Sequence, residues 1–183
     1  MQYLFPSHDR NGVWYQIVLN SADVEGIIDF STRDADNNVL AAETDIAQNY
    51  TDGEWHNFTF IRTGLNTVKI FLDGVELSTT VDSAQSPDNY PGSFQYPFYY
   101  GTRNFRDSIN EPFTGELDNF QFWDIELTNQ QVVDNIDNGL TGSEPGLVIY
   151  HNLNSAVGLT AFDQTNNGNN GTINGALFTA SGS

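Results

Sequence analysis

The chain has no cysteine, a single methionine and only six lysines and arginines among its 183 residues. Without cysteine no disulfide can staple it, so its stability has to come from a packed core, which is still compatible with secretion. No apolar run approaches the roughly 20 residues of a membrane-spanning helix, and no glycine-rich phosphate loop is present. The three histidines, His8, His56 and His151, stand far apart in the chain, with no spacing for zinc or for a nucleophile and its base. His56 is expected to pair with solvent or backbone. Basic residues are outnumbered by twenty-four Asp and Glu, for a formal net charge of −18. Long-range repulsion at that charge makes nucleic acid and anionic membrane surfaces poor partners. No signal peptide opens the chain, and MQYLFPSHDR reads as the start of a piece excised from a larger protein.

What is present is a core. Hydrophobic residues make up 38% and aromatics 13% of the chain, enough for one β domain and too much for a disordered acidic tail. The most informative stretch is DGEWHNFTFIRTGLNTVKIFLDGVEL, residues 52 to 77. Trp55, Phe58 and Phe60, then Val68, Ile70 and Leu72, are read as the buried faces of two strands, with Asn57, Thr59 and Arg62, and Lys69 and Phe71, on the other faces. Gly64 to Asn66 supplies one turn and Asp73-Gly74 a tight second one, because both residue types tolerate positive φ. Residues 13 to 30 read as two more strands around a turn at Asn20 to Asp23. Asp34, Asp36 and Asn38 match the first positions of a calcium loop, but Val39 stands where that loop needs glycine and Asp45 where it needs Glu, so a hairpin turn at Asn37-Asn38 is the better account. Residues 127 to 139 read as a surface helix: Thr128 and Gln131 form a capping box, Leu127 and Val132 a staple, and Gly139 the stop.

Two motifs carry a family resemblance. Trp55-His56, a strand and Leu72-Asp73-Gly74 resemble the signature of laminin-G-like and pentraxin-like domains. Phe113-Thr114-Gly115-Glu116-Leu117-Asp118-Asn119-Phe120, then Phe122-Trp123 and a helix start at Leu127-Thr128, is similar to the later part of the same family. The resemblance spans about residues 26 to 178 and implies an all-β, two-sheet antiparallel jelly-roll sandwich of the concanavalin A type. The run AFDQTNNGNNGTINGALF near the C-terminus resembles the family's opening and comes last here. The expectation is therefore one jelly roll over residues 1 to 183, with residues 146 to 183 as a closing segment, permuted or split; an incomplete second repeat is the alternative.

The resemblance also implies site residues. A structural calcium would fall to Asp118 and Asp163, with Asn166 and Asn170 as further oxygen donors and Glu116 as a neighbour; a plain loop of turn-forming residues is the competing account. The acidic balance points the same way, towards calcium or a salty milieu, and equally towards a merely soluble surface. Tyr90, Tyr96, Tyr99, Tyr100, Arg103, Asn104 and Arg106 cluster in sequence as stacking rings and hydrogen-bonding partners for sugars, although aromatic residues of a sandwich are more often core. Glu116, Asp118 and Gln121 resemble the carboxylate triad of jelly-roll glucanases, but glutamine cannot serve as the acid/base, so no catalytic residue is assigned. Asn49, Asn57 and Asn170 open N-x-T sequons that matter only in a eukaryotic secretory setting.

These readings converge on a non-catalytic, extracellular or cell-surface adhesion or carbohydrate-recognition module with structural Ca2+. Its composition is similar to that of domains of large calcium-dependent bacterial adhesins. A glycan or cell-surface ligand and flanking or inserted domains of a larger protein are the expected partners, and the domain is expected to be monomeric. A structural spacer presenting a neighbouring domain is the alternative.

Overall fold

The computed structural model describes residues 2–8, 14–21, 24–34, 38–63, 67–82, 99–105, 108–110, 112–154 and 158–179. Asp36 and Asn37, the turn at Gly64 to Asn66 and the aromatic run from Phe94 to Phe98 lie outside them. In chain order the strands are β1 (Gln2–His8), β2 (Trp14–Leu19), β3 (Ile28–Arg33), β4 (Val39–Thr44), β5 (Phe58–Thr63), β6 (Thr67–Leu72), β7 (Val75–Glu76), β8 (Thr79–Asp82), β9 (Arg103–Phe105), β10 (Ser108–Asn110) and β11 (Phe120–Trp123). Helix α1 (Asn129–Asn138) follows, then β12 (Leu147–His151), β13 (Thr160–Ala161) and β14 (Gly171–Thr172). The chain forms two compact units: Met1–Gly115 with Leu127–Ile136, and Glu116–Glu126 with Asp137–Ser183.

The first unit is a two-layer sandwich. One sheet has the order β1-β2-β3-β4-β8 and the other β5-β6-β7, with every neighbour antiparallel. Register explains the core. Leu19 stands opposite Ile28, Phe30 opposite Ala42, and Thr32 opposite Leu40, so one face of the larger sheet presents an apolar row. That row packs against Val68, Ile70 and Leu72 of the smaller sheet, with Tyr50 at the margin. The rings of Phe30 and Phe60, 5.7 Å apart, join the layers.

Strand β6 is buried on both sides, with Ile70 and Phe71 fully inaccessible. Each such side chain contributes roughly 2 kcal/mol by burial. Phe71 was expected on an outward face; the side of β6 that turns away from the core is covered by the first turns of α1. Lys69 Nζ donates to Asn129 Oδ1 at 3.4 Å and Asn129 Nδ2 to Glu76 Oε2 at 2.8 Å. Gly74, at φ 78°, lies so close that an added Cβ would stand 3.3 Å from Val133 Cγ2. The helix itself starts as its sequence prescribes: Gln131 N donates to Thr128 Oγ1 and Thr128 N to Gln131 Oε1.

Two other assignments along β5 are corrected. Arg62 shares the inward face with Phe58 and Phe60, since it is an even number of residues from both, and its Nη1 reaches Thr32 Oγ1 of the opposite sheet at 3.0 Å. Trp55 is not core: it stands three positions before Phe58, an odd offset that breaks the two-residue period, and it is 60% exposed. The Asp34 to Asn38 segment is a hairpin connection, as its sequence favours: Asn38 N donates to Asp34 Oδ1 and Asp34 N to the Asn38 carbonyl. Asp73 and Gly74 both take positive φ, 51° and 78°, between the paired residues Leu72 and Val75.

In the second unit β11 pairs with β12 and β13 with β14. Strand β12 thus has its partner in Phe120–Trp123, with Gln121 opposite Tyr150.

Asp29 is an ionisable group placed where the fold least accommodates charge. It lies on the central strand of the larger sheet, 7% exposed and directly opposite Glu43. Burial pushes its carboxyl up, hydrogen bonding from Ser31 Oγ at 2.8 Å opposes that, and Glu43 adds to it, leaving the pKa at about 6. A folded-state value above the unfolded one of 3.8 means that ionising Asp29 costs stability between about pH 4 and pH 6. The cost at pH 8 is at most roughly 3 kcal/mol. Asp29→Asn is therefore expected to raise the melting temperature at pH 8 by several degrees and to leave it unchanged near pH 4; equal shifts at both pH values would contradict this account.

Candidate functional site

Asp163, proposed from sequence as a metal ligand, sits in the loop between β13 and β14 and organises it. Its Oδ1 accepts from Tyr150 N at 3.1 Å and Thr165 N at 3.0 Å, and its Oδ2 from Thr165 Oγ1 and Asn169 N, both at 2.8 Å. Burial alone would push this carboxyl up; the four donors, Tyr150 N foremost, outweigh it and hold it below the usual range. Asn170 joins it, with Oδ1 accepting from Asp163 N at 2.9 Å. Asn167 and Asn169 tie the loop to β12 by donating their amides to the Val148 carbonyl, each at 3.0 Å. Asn166 is exposed beside them.

Glu116 and Asp118 lie in the exposed segment before β11. Asp118 closes on its neighbour, accepting from Asn119 N at 2.9 Å, while Asn119 Oδ1 accepts from the Tyr150 hydroxyl at 2.9 Å. The Asp118 and Asp163 segments therefore engage opposite ends of Tyr150, hydroxyl and backbone. A carboxylate has about four acceptor positions, and all of those of Asp163 face protein donors, as does Asn170 Oδ1. A cation at this loop would have to displace hydrogen bonds that already close it, so these two residues as placed do not fit a calcium ligand set. Among the described residues no three His, Asp or Glu side chains are gathered so as to hold a metal ion.

Of the aromatic and basic cluster, Tyr90, Tyr96 and Arg106 lie outside the described residues. Tyr99 and Tyr100 are half-buried just before Gly101, and burial pushes the Tyr100 hydroxyl up to about 12. Arg103 and Asn104 fall in β9, with Asn104 opposite Ile109 of β10. In the glucanase-like triplet, only Gln121 is on a strand; its Oε1 accepts from Trp123 Nε1 at 3.3 Å, and Glu116 and Asp118 precede β11. The three do not line one strand face.

The structure adds a constellation that sequence reasoning passed over. His56, expected to meet solvent or backbone, lies between two carboxylates: Nδ1 is 2.8 Å from Asp73 Oδ2 and Nε2 3.1 Å from Asp52 Oδ1. Only the imidazolium can donate at both nitrogens, and the bonds to Asp73 and then Asp52 raise its pKa. Asp73 Oδ1 accepts from Asn57 N at 2.7 Å, Asp73 N donates back to the Asn57 carbonyl, and Asp52 Oδ1 accepts from Glu54 N. The segment carrying exposed Trp55 is thus tied to the β6-β7 turn through His56 and Asn57, and is closed on itself at Asp52. The signal was available in the odd spacing from Trp55 to Phe58 and in the Asp52-Gly53 turn ahead of it.

An all-antiparallel two-layer sandwich with a single described helix is the concanavalin A-like class of fold. A family model described as the concanavalin A-like lectin/glucanases superfamily, of laminin-G type, matches residues 2–133, and the chain belongs to that family. The match takes in β1 and β2, ahead of residue 26, where the sequence resemblance begins. Neither curated proteins nor solved structures yield a match. Membership defines a carbohydrate-binding or structural module of a superfamily that also contains glucanases. Among the described residues no helix is long and apolar enough to cross a membrane.

Two outcomes are expected. Asp163→Ala should accelerate amide exchange at Tyr150, Thr165 and Asn169 and cost about 2 kcal/mol; unchanged exchange at those three amides would show that the loop holds without it. The His56 clamp contributes fully below the ordinary histidine pKa and is lost as pH rises through the raised folded value. His56→Gln should cost on the order of 1 kcal/mol or less at pH 6 and next to nothing at pH 9, read by thermal melting; a cost independent of pH would mean the ring acts only by packing.

Proposed function

We propose that the chain is a non-catalytic carbohydrate-recognition or adhesion module that works outside the cell. The observation that carries this is the lectin-type sandwich of the family combined with glutamine at position 121, where a glucanase-like triad would need a proton-donating carboxyl. The off-strand placement of Glu116 and Asp118 supports the same conclusion. The charge of −18 suits a neutral or cationic partner and a saline exterior.

Structural calcium belongs to this proposal through the acidic balance and the resemblance, with Glu116, Asp118 and Asn166 as the oxygen donors left exposed. The Asp163 and Asn170 oxygens are engaged by donors of their own loop and of β12. A spacer domain is the second reading, favoured by the rigidity that the same loop hydrogen bonds confer.

A glycan array probed with and without calcium, beside melting curves in calcium and in EDTA, separates these possibilities. Saturable glycan binding with no release of reducing sugar from laminarin is expected. Calcium-dependent melting with no glycan bound would establish the spacer, and sugar release would establish an enzyme. Melting curves that coincide in calcium and EDTA would remove the ion alone.

A further inference from the structure

Trp55 is the largest side chain that the first unit leaves in solvent, at 60% exposure. An indole is normally well covered in a folded domain, and here looseness does not account for its exposure. The residues on either side are fastened: Glu54 N to Asp52 Oδ1 at 3.0 Å, the His56 ring to Asp52 and Asp73, and Asn57 to Asp73 in both directions. Holding a large apolar ring outward on a segment with this many hydrogen bonds costs apolar burial, which a ligand can recover.

We propose that Trp55 is the stacking platform of a carbohydrate subsite for the C–H face of a neutral hexose, with Asp52, Glu54 and Asp73 accepting from its hydroxyl groups. This rests on the carbohydrate-recognition reading above and assigns it to a place distinct from the Tyr99-Arg106 segment. Chemistry selects the ligand. A flat, electron-rich indole face attracts the slightly positive C–H hydrogens of a pyranose, and it equally attracts a cation. The imidazolium of His56 lies between Asp52 and Asp73 and offsets one of their two negative charges, which weakens the pull on a cation but leaves carboxylate oxygens for hydroxyl donors. The side chains of Asp52 and Asp73 remain 36% and 49% exposed. The net charge of −18 disfavours anionic sugars.

The test is calorimetric titration of the whole chain and of Trp55→Ala with laminarihexaose, cellohexaose and mannohexaose, and with hexalysine as the cationic probe. The expected result is that one of the neutral hexasaccharides binds the unaltered chain and binds Trp55→Ala about tenfold more weakly. Melting temperature should be unchanged, because the ring contributes little burial, and Trp55→Phe should retain part of the affinity. Equal saccharide affinity in Trp55→Ala would overturn this subsite while leaving carbohydrate recognition standing elsewhere. Salt-sensitive binding of hexalysine alone would overturn it in favour of a cationic partner. No binding by any probe would overturn both this subsite and the reading on which it rests.

Discussion

Strand β6 is covered on both faces, and the first unit depends on it. Val68, Ile70 and Leu72 meet the row Leu19, Ile28, Phe30, Leu40 and Ala42, while Phe71 lies fully inaccessible on the side where α1 covers the sheet. A strand buried on one side needs one partner layer; one buried on both needs the helix as well. This is why a segment that follows the F-x-G-x-L-D-N-F stretch by sequence returns to the smaller sheet, and why Gly74 is without a side chain where Val133 passes over it.

The acidic excess has a structural use that composition alone does not suggest. Asp34, Asp52, Asp73, Asp118 and Asp163 each accept from at least one backbone N–H in a loop, and Glu144 accepts from Thr141 N and Gly142 N. Asp45 does similar work through the hydroxyls of Ser78 and Thr80. A carboxylate hydrogen-bonded by amides is stabilised in place without a metal ion. Seven of the twenty-four acidic residues are thus engaged at turns and loops, where irregular backbone has amides to satisfy. Asp29 differs from them: it faces another carboxylate from a buried strand and holds its proton well above the usual range.

Function in this fold resides in what is set on the sandwich rather than in the sandwich itself. The residues suggested by family likeness divide accordingly. Asp163 and Asn170 come together but are occupied in closing their own loop, and Glu116 and Asp118 stand free of strand β11. The loop from Asp52 to Asn57 has the opposite character, fastened at its ends and open at its centre. That combination, a rigid frame around an exposed ring, is what pre-organised recognition requires.

Local pattern was enough to establish the strands within residues 13 to 30 and 52 to 77, the Asp73-Gly74 turn, the Asp34-Asn38 hairpin and the start of the helix, because side-chain alternation, positive-φ residues and capping boxes act over a few residues. Family likeness extended that to the concanavalin A-like class. Tertiary structure decided what long-range neighbours decide: that Phe71 is buried under the helix, that Arg62 turns inward to Thr32, that Leu147–His151 pairs with Phe120–Trp123, and that His56 meets carboxylates 4 and 17 positions away. Burial and hydrogen bonding at these places depend on which distant segment arrives opposite, and a residue's type and spacing carry no record of that partner.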